Sequence, residues 1–106
     1  MVNCYWLRIC SLIRKSCLVS LVVLAFGACS SAPVQEMSDA RQAIEAAQAV
    51  EAQRLASSEY DRARALLSEA QQLLGDGHYN KARKNALKAR DHAIQARELA
   101  QESVRR

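Results

Sequence analysis

Beyond Pro33 the chain contains no proline, and its only later glycines are Gly75 and Gly77. Alanine recurs throughout the stretch from Ala40 to Ala100. Because alanine has the highest helix propensity and proline the lowest, this composition favours helices almost to the end of the chain. The sequence therefore predicts an all-α fold, in which two or three antiparallel helices form a hairpin or a small bundle.

Boundary residues place the helices of residues 37–106. The first helix is predicted to begin with Ser38 as its N-cap and to end near Ala56. Ser58 and Asp61 have the spacing of a capping box, which indicates the start of a second helix. A serine pair can also lie inside one continuous helix. Residues 38–74 are therefore expected to form either one helix or two.

The sequence Gly75-Asp76-Gly77 predicts the turn that precedes the last helix. Gly75 is expected to adopt the left-handed conformation that closes a helix, and Asp76 to cap the next one. Tyr79 then begins the last helix. Because the turn is short, the two flanking helices are predicted to be antiparallel neighbours.

Small and apolar residues recur at alternating steps of three and four along these two helices, which is the spacing of one helix face. On the last helix this face consists of Tyr79, Ala82, Ala86, Ala89, Ala93, Ala96 and Ala100. On the preceding helix it consists of Tyr60, Ala63, Leu67, Ala70 and Leu74. The larger contacts are expected from Leu66, Leu67, Leu73, Leu74, Leu87, Ile94 and Leu99. An alanine seam of this kind allows two helix backbones to approach closely.

The first 28 residues differ in character from the rest. An apolar run over residues 18–28 follows Arg14 and Lys15, which is typical of a cleavable export signal. A spanning helix is the alternative, but crossing a bilayer takes about 20 mainly apolar residues, and the run is shorter. Residues 1–28 are therefore interpreted as a signal peptide.

The residues Phe26-Gly27-Ala28-Cys29 resemble the lipobox of bacterial lipoproteins. The resemblance implies that Cys29 is lipidated and becomes the first residue of the mature chain, followed by a flexible tether over residues 29–36. Ser30 directly follows Cys29, and a serine at this position resembles lipoproteins that are forwarded to the outer membrane. The implied location is the periplasmic face of that membrane.

No other cofactor or metal is expected besides the covalent lipid. Cys4, Cys10 and Cys17 precede the proposed cleavage site. His78 and His92 each lack a second histidine or cysteine three or four residues away, so they are interpreted as solvated or capping side chains. Because the sequence also contains no catalytic motif, no catalytic residues are assigned and an enzyme is not expected.

The charges are unevenly distributed. Loss of residues 1–28 leaves 12 basic and 11 acidic side chains, a net charge of +1, which disfavours a nucleic-acid partner. Residues 29–77 have a net charge of −4 and residues 78–106 of +5. Either the acidic segment folds against the basic helix, or the basic residues contact anionic lipid headgroups or cell-wall polymer. The possible interaction face consists of Lys81, Arg83, Lys84, Lys88 and Arg90.

Two resemblances concern the helical region. The pattern Gly77-x-Tyr79-x-x-Ala82-x-x-x-Ala86-x-x-Ala89, with Ala70 upstream, is similar to the second half of one tetratricopeptide repeat.

The chain also resembles small Gram-negative lipoproteins with an uncharacterised helical domain, of the type named domain of unknown function 4398. The resemblance rests on a lipobox, a short connector, the run Ser38-Asp39-Ala40-Arg41-Gln42-Ala43-Ile44 and an alanine-rich last helix. This resemblance implies a location and a fold, and it brings no catalytic residues.

Alanine buries little surface, so a solitary domain is expected to be only marginally stable. The exposed remainder of the alanine and leucine stripes, including Ile44, Ala47 and Val50 of the first helix, is therefore predicted to pack against a second copy or another envelope protein. The expected function is that of a non-enzymatic lipoprotein with a structural or protein-interaction role. The alternative is a spacer that contacts peptidoglycan noncovalently through the basic last helix. In this alternative the protein resembles the alanine-zipper lipoproteins, which are linked to peptidoglycan through a C-terminal lysine. Because this chain ends in Arg105-Arg106, covalent attachment is not expected.

Overall fold

A computed structural model of the protein describes residues 8–11, which are helical, and residues 31–106. The second range contains four helices and no strand: α1 (Val34–Ala49), α2 (Ala52–Leu55), α3 (Ser57–Gly75) and α4 (Tyr79–Arg105). The prediction of an all-α fold is confirmed. In the part of the chain that is described, no helix is both long enough and apolar enough to cross a bilayer. Cys29, Ser30 and most of the proposed signal lie outside the described residues.

Helix α1 begins at Val34, and its N-cap residue lies five positions before the predicted N-cap, Ser38. The preceding residue, Pro33, is buried, and its carbonyl accepts a hydrogen bond from the Met37 N–H at 3.0 Å. Proline is compatible with this N-cap position because the N–H that it lacks would have no partner within the helix. The predicted tether is therefore wrong in its last three residues, which are helical, and Ser38 lies within α1 rather than at its N-cap.

Two breaks separate α1 from α3. At the first, Glu51 adopts a left-handed conformation with φ of 58°. At the second, Ala56 has a φ of −141°, and the four-residue α2 lies between the two breaks. The capping box predicted for Ser58 and Asp61 does not form, because Ala56 is the N-cap of α3 and no side chain caps that helix. Residues 38–74 thus form two long helices joined by a short one.

A Schellman motif closes α3. The His78 N–H donates to the Leu73 carbonyl at 2.8 Å, and the Gly77 N–H donates to the Leu74 carbonyl at 3.1 Å. Gly77 has a φ of 81°, which L-residues rarely adopt. The turn is therefore where it was predicted, but Gly77 and not Gly75 takes the left-handed conformation.

Helix α4 begins without a side-chain cap. Asp76, which was predicted to cap it, is instead the C-cap residue of α3 and has right-handed helical dihedrals. His78 is the N-cap residue, and only its backbone carbonyl contributes, accepting from the Ala82 N–H at 2.9 Å. The predicted aspartate cap is wrong, because Asp76 belongs to the Schellman motif that ends α3 and His78 is the residue that precedes α4.

The three long helices form a small bundle. The Gly75–Gly77 turn makes α3 and α4 antiparallel, as predicted. Helix α1 runs in the same direction as α4, because Glu36 at the start of α1 contacts Arg83 at the start of α4. The bundle therefore has an N-terminal end, where α1 and α4 begin, and a C-terminal end, where α4 finishes beside the junction of α1 and α2.

The alanine seam of α4 is the centre of the core. Its six alanines are completely buried: Ala82, Ala86, Ala89, Ala93, Ala96 and Ala100. Tyr60, Ala63 and Ala70 supply the facing surface of α3 and are also buried. The seam prediction is confirmed for these residues. It is wrong for three larger ones, which are substantially exposed: Tyr79 at 36%, Ile94 at 44% and Leu99 at 42%.

The apolar stripe of α1 completes the core instead of facing a partner. Ile44 and Ala47 are buried in one cluster with Tyr60, and Val50 packs against that cluster. The prediction that these α1 residues pack against a second copy or another protein is therefore wrong for the described chain. The physical reason is that α1 lies against α4 and α3, whose seam would otherwise be uncovered.

Candidate interaction surface

The five basic residues predicted as one face of α4 occupy two faces. Lys81, Lys84 and Lys88 follow the three-and-four spacing of a single helix face, and all three are exposed. Arg83 and Arg90 are seven residues apart and therefore share a different face. We call Lys81, Lys84 and Lys88 the lysine face.

Arg83 contributes to the packing of the bundle. Its Nε lies 2.9 Å from Oε1 of Glu36, and both side chains are partly buried. This contact joins the acidic and basic halves of the chain, as one of the two charge interpretations predicted. Arg90 contacts Asp91 of its own helix at 2.8 Å. Two members of the predicted basic face are therefore engaged with carboxylates.

The contacts of Glu36 lower the pKa of its carboxyl group. A backbone hydrogen bond in the first turn of α1 holds the pKa below its ordinary value of 4.5. Partial loss of hydration acts in the opposite direction, and the hydrogen bond and charge of Arg83 lower the pKa further. The ionised form of Glu36 is thus favoured by folding.

A histidine contact joins α3 and α4. His92 Nδ1 lies 2.6 Å from Oε2 of Glu59, and both side chains are about three-quarters buried. The interpretation of His92 as a solvated side chain is therefore wrong, whereas His78 is exposed as expected. Within the described residues, no group of three or more metal-ligating side chains comes together. His92 thus connects two helices.

Exposed apolar side chains collect at the C-terminal end of the bundle. Leu99 and Val104 of α4 are 42% and 73% exposed. An open depression of about 380 Å³ lies between Val104 and Val50. A second, of about 240 Å³, lies between Leu99 and Leu55. Sequence reasoning placed Leu99 in the core and did not single out Val104, because burial at a helix end depends on how far the neighbouring helices extend.

The described domain thus belongs to the class of small all-α bundles with an alanine-rich core. Residues 35–106 match the family described as Domain of unknown function (DUF4398), and the chain belongs to this family. The match covers nearly all of α1 to α4, so the family expected from the sequence is confirmed. No curated protein and no solved structure matches the chain significantly. The likeness to a tetratricopeptide repeat stays a prediction.

Proposed function

We propose that the protein is a lipid-anchored lipoprotein of the cell envelope with a non-enzymatic structural or protein-interaction role. The observation that carries the proposal is the lipobox-like sequence Phe26-Gly27-Ala28-Cys29 at the end of an apolar run. Only four residues separate Cys29 from the first residue of α1. A lipid on Cys29 would hold the helical domain at the periplasmic face of the outer membrane.

Exposed apolar surface supports the interaction role. Leu99 and Val104 lie on the same end of the bundle, beside the two depressions. Aliphatic side chains left in water beside open depressions favour contact with another apolar surface. The proposed contact region is therefore the C-terminal end of α4, and its partner is an envelope protein or a second copy.

The anchor is tested by changing Cys29→Ala in cells supplied with a labelled fatty acid. The variant is expected to lose the lipid label and to keep its signal segment. The matched control is Cys17→Ala, which removes a cysteine before the proposed cleavage site and should leave labelling unchanged. Undiminished labelling of the Cys29→Ala protein would refute the anchor.

The interaction role is tested by photo-crosslinking in intact cells. A photoreactive residue at Val104 or Leu99 is expected to give a discrete adduct, either with an envelope protein or as a dimer. The control position is Gln71 of α3, an exposed residue outside the C-terminal depressions. Adducts of equal yield from Gln71, or none from either α4 position, would count against this contact region.

Contact with peptidoglycan is the alternative, and the exposed lysine face supports it. Arg83 and Arg90 are paired with carboxylates, so the lysines are the members of the predicted face that remain for such contact. The test is cosedimentation with purified sacculi before and after Lys81→Gln, Lys84→Gln and Lys88→Gln. Loss of cosedimentation in the triple variant would favour this alternative over a protein partner.

A further inference from the structure

The lysine face combines a high density of positive charge with an unusual residue choice. Residues 77–90 contain no acidic side chain, and three of their five basic residues, Lys81, Lys84 and Lys88, form this face. Lys81, Lys84 and Lys88 are the only lysines after residue 15, whereas the other basic residues after that point are all arginines. The long stem and strongly hydrated ammonium of lysine suit it to reach toward a charged, wet surface.

The positive charge of this face is not neutralised by neighbouring carboxylates. Of the two nearest acidic residues in sequence, Asp91 is in contact with Arg90. The other, Asp76, lies in the turn before α4. Over residues 31–106, no carboxylate lies within ion-pair distance of any of the three lysines. The lysine face therefore remains open to an external anion.

The lysine face lies at the end of the bundle where the chain enters. Glu36 in the first turn of α1 contacts Arg83, and Met37 shares a buried cluster with Ala86 of α4. The start of α1 is thus level with the first turns of α4. From Cys29 to the start of α1 the chain reaches at most about 17 Å. The lysine face extends over about 10 Å of helix axis. A lipid on Cys29 therefore keeps the lysines close to the bilayer.

We infer that the lysine face contacts the anionic headgroups of the membrane that carries the anchor. This inference rests on the proposed lipidation of Cys29 and adds an orientation to it. Two other exposed side chains at the same end fit a bilayer surface: Val34, which is 67% exposed, and Tyr79, whose ring and hydroxyl suit the interface. Lipid anchors bind more firmly when a basic patch assists them.

The inference is tested with the full lipidated protein reconstituted into vesicles. One set contains phosphatidylcholine alone, and the other contains phosphatidylcholine with phosphatidylglycerol. An amine-acetylating reagent modifies the accessible lysines, and mass spectrometry measures the acetylation rate at Lys81, Lys84 and Lys88. We expect acetylation to slow about fivefold on the anionic vesicles, which corresponds to about 1 kcal/mol for a lysine near such a surface. High salt should abolish the difference.

The matched control is an Arg105→Lys protein, which carries one more reactive amine at the opposite end of α4. Its rate at position 105 should be the same on both vesicle types. The mass of the intact protein shows whether the lipid is attached. If it is, equal acetylation rates at Lys81, Lys84 and Lys88 on both vesicle types overturn the inference. A mature chain without acyl mass overturns the proposed anchor as well. Protection on neutral vesicles after addition of sacculi, without protection by anionic lipid, overturns membrane contact in favour of the wall.

Discussion

Ala93→Leu tests whether the alanine seam determines how closely the helices pack. Ala93 is completely buried in the cluster that contains Ile44 and Tyr60. Leucine adds three carbon atoms at this buried site, and because protein cores are close-packed, we expect α4 to move away from its neighbours or the new side chain to adopt a strained rotamer. The variant is expected to fold with lower stability.

The magnitude follows from the size of the domain. Overpacking of a filled core costs about 1–3 kcal/mol. A domain of about 75 residues has a free energy of unfolding of about 4–11 kcal/mol, so the loss is a large fraction of the total. Each kcal/mol lowers the melting temperature of such a domain by about 4–8 °C. The expected decrease for Ala93→Leu is therefore about 4–24 °C.

The assay is thermal unfolding followed by circular dichroism at 222 nm, the usual helix signal. The matched control is Gln95→Leu, which introduces the same side chain two residues away at an exposed position of α4. The control should change the free energy of unfolding by no more than about 0.5 kcal/mol. Equal melting temperatures for the two variants would show that the seam is loosely packed and would refute the reasoning.

Three further predictions concern the backbone and one carboxylate. Gly77→Ala should lower the free energy of unfolding by about 1–2 kcal/mol in urea titrations because φ is 81° there, while Gly75→Ala should cause no loss since an added Cβ meets nothing within 4 Å. Glu51→Gly should raise the melting temperature, because glycine removes about 1 kcal/mol of left-handed strain and only an exposed ion pair is lost; a lower value would contradict this. Folding lowers the pKa of Glu36, so its stabilising contribution is complete above pH 4.5 and disappears as the pH falls through the folded-state pKa. Melting temperatures should therefore fall less on acidification in Glu36→Gln than in the unmodified protein.

The core of α4 could be predicted because its information is local. Alanines at steps of three and four define one helix face whatever packs against it, and all six from Ala82 to Ala100 are buried. The turn at residues 75–77 was equally evident from its two glycines. Which glycine becomes left-handed depends on where α3 ends, since the Schellman motif requires the left-handed residue two positions after the last helical one.

The packing of α1 could not be predicted from the sequence, whereas the division of the basic residues between two faces of α4 could have been. The packing of Ile44 inside the domain depends on contacts with α4 and α3, which no local pattern specifies. The contact between Glu36 and Arg83 joins residues 47 positions apart. The separation of the lysines from Arg83 and Arg90, in contrast, was available from helical spacing. The prediction of one basic face was wrong because residues that are close in sequence do not always lie on the same side of a helix.

The parallel direction of α1 and α4 determines where the chain enters and leaves the bundle. A two-helix hairpin would return the chain to the level at which it began, but a third long helix places Arg106 at the other end. The 27 residues of α4 correspond to about 40 Å of helix axis. Anything joined to the C-terminus, such as a fluorescent protein, would therefore be displaced by that distance from the point where α1 begins. The bundle acts as a rod of defined length between its two termini.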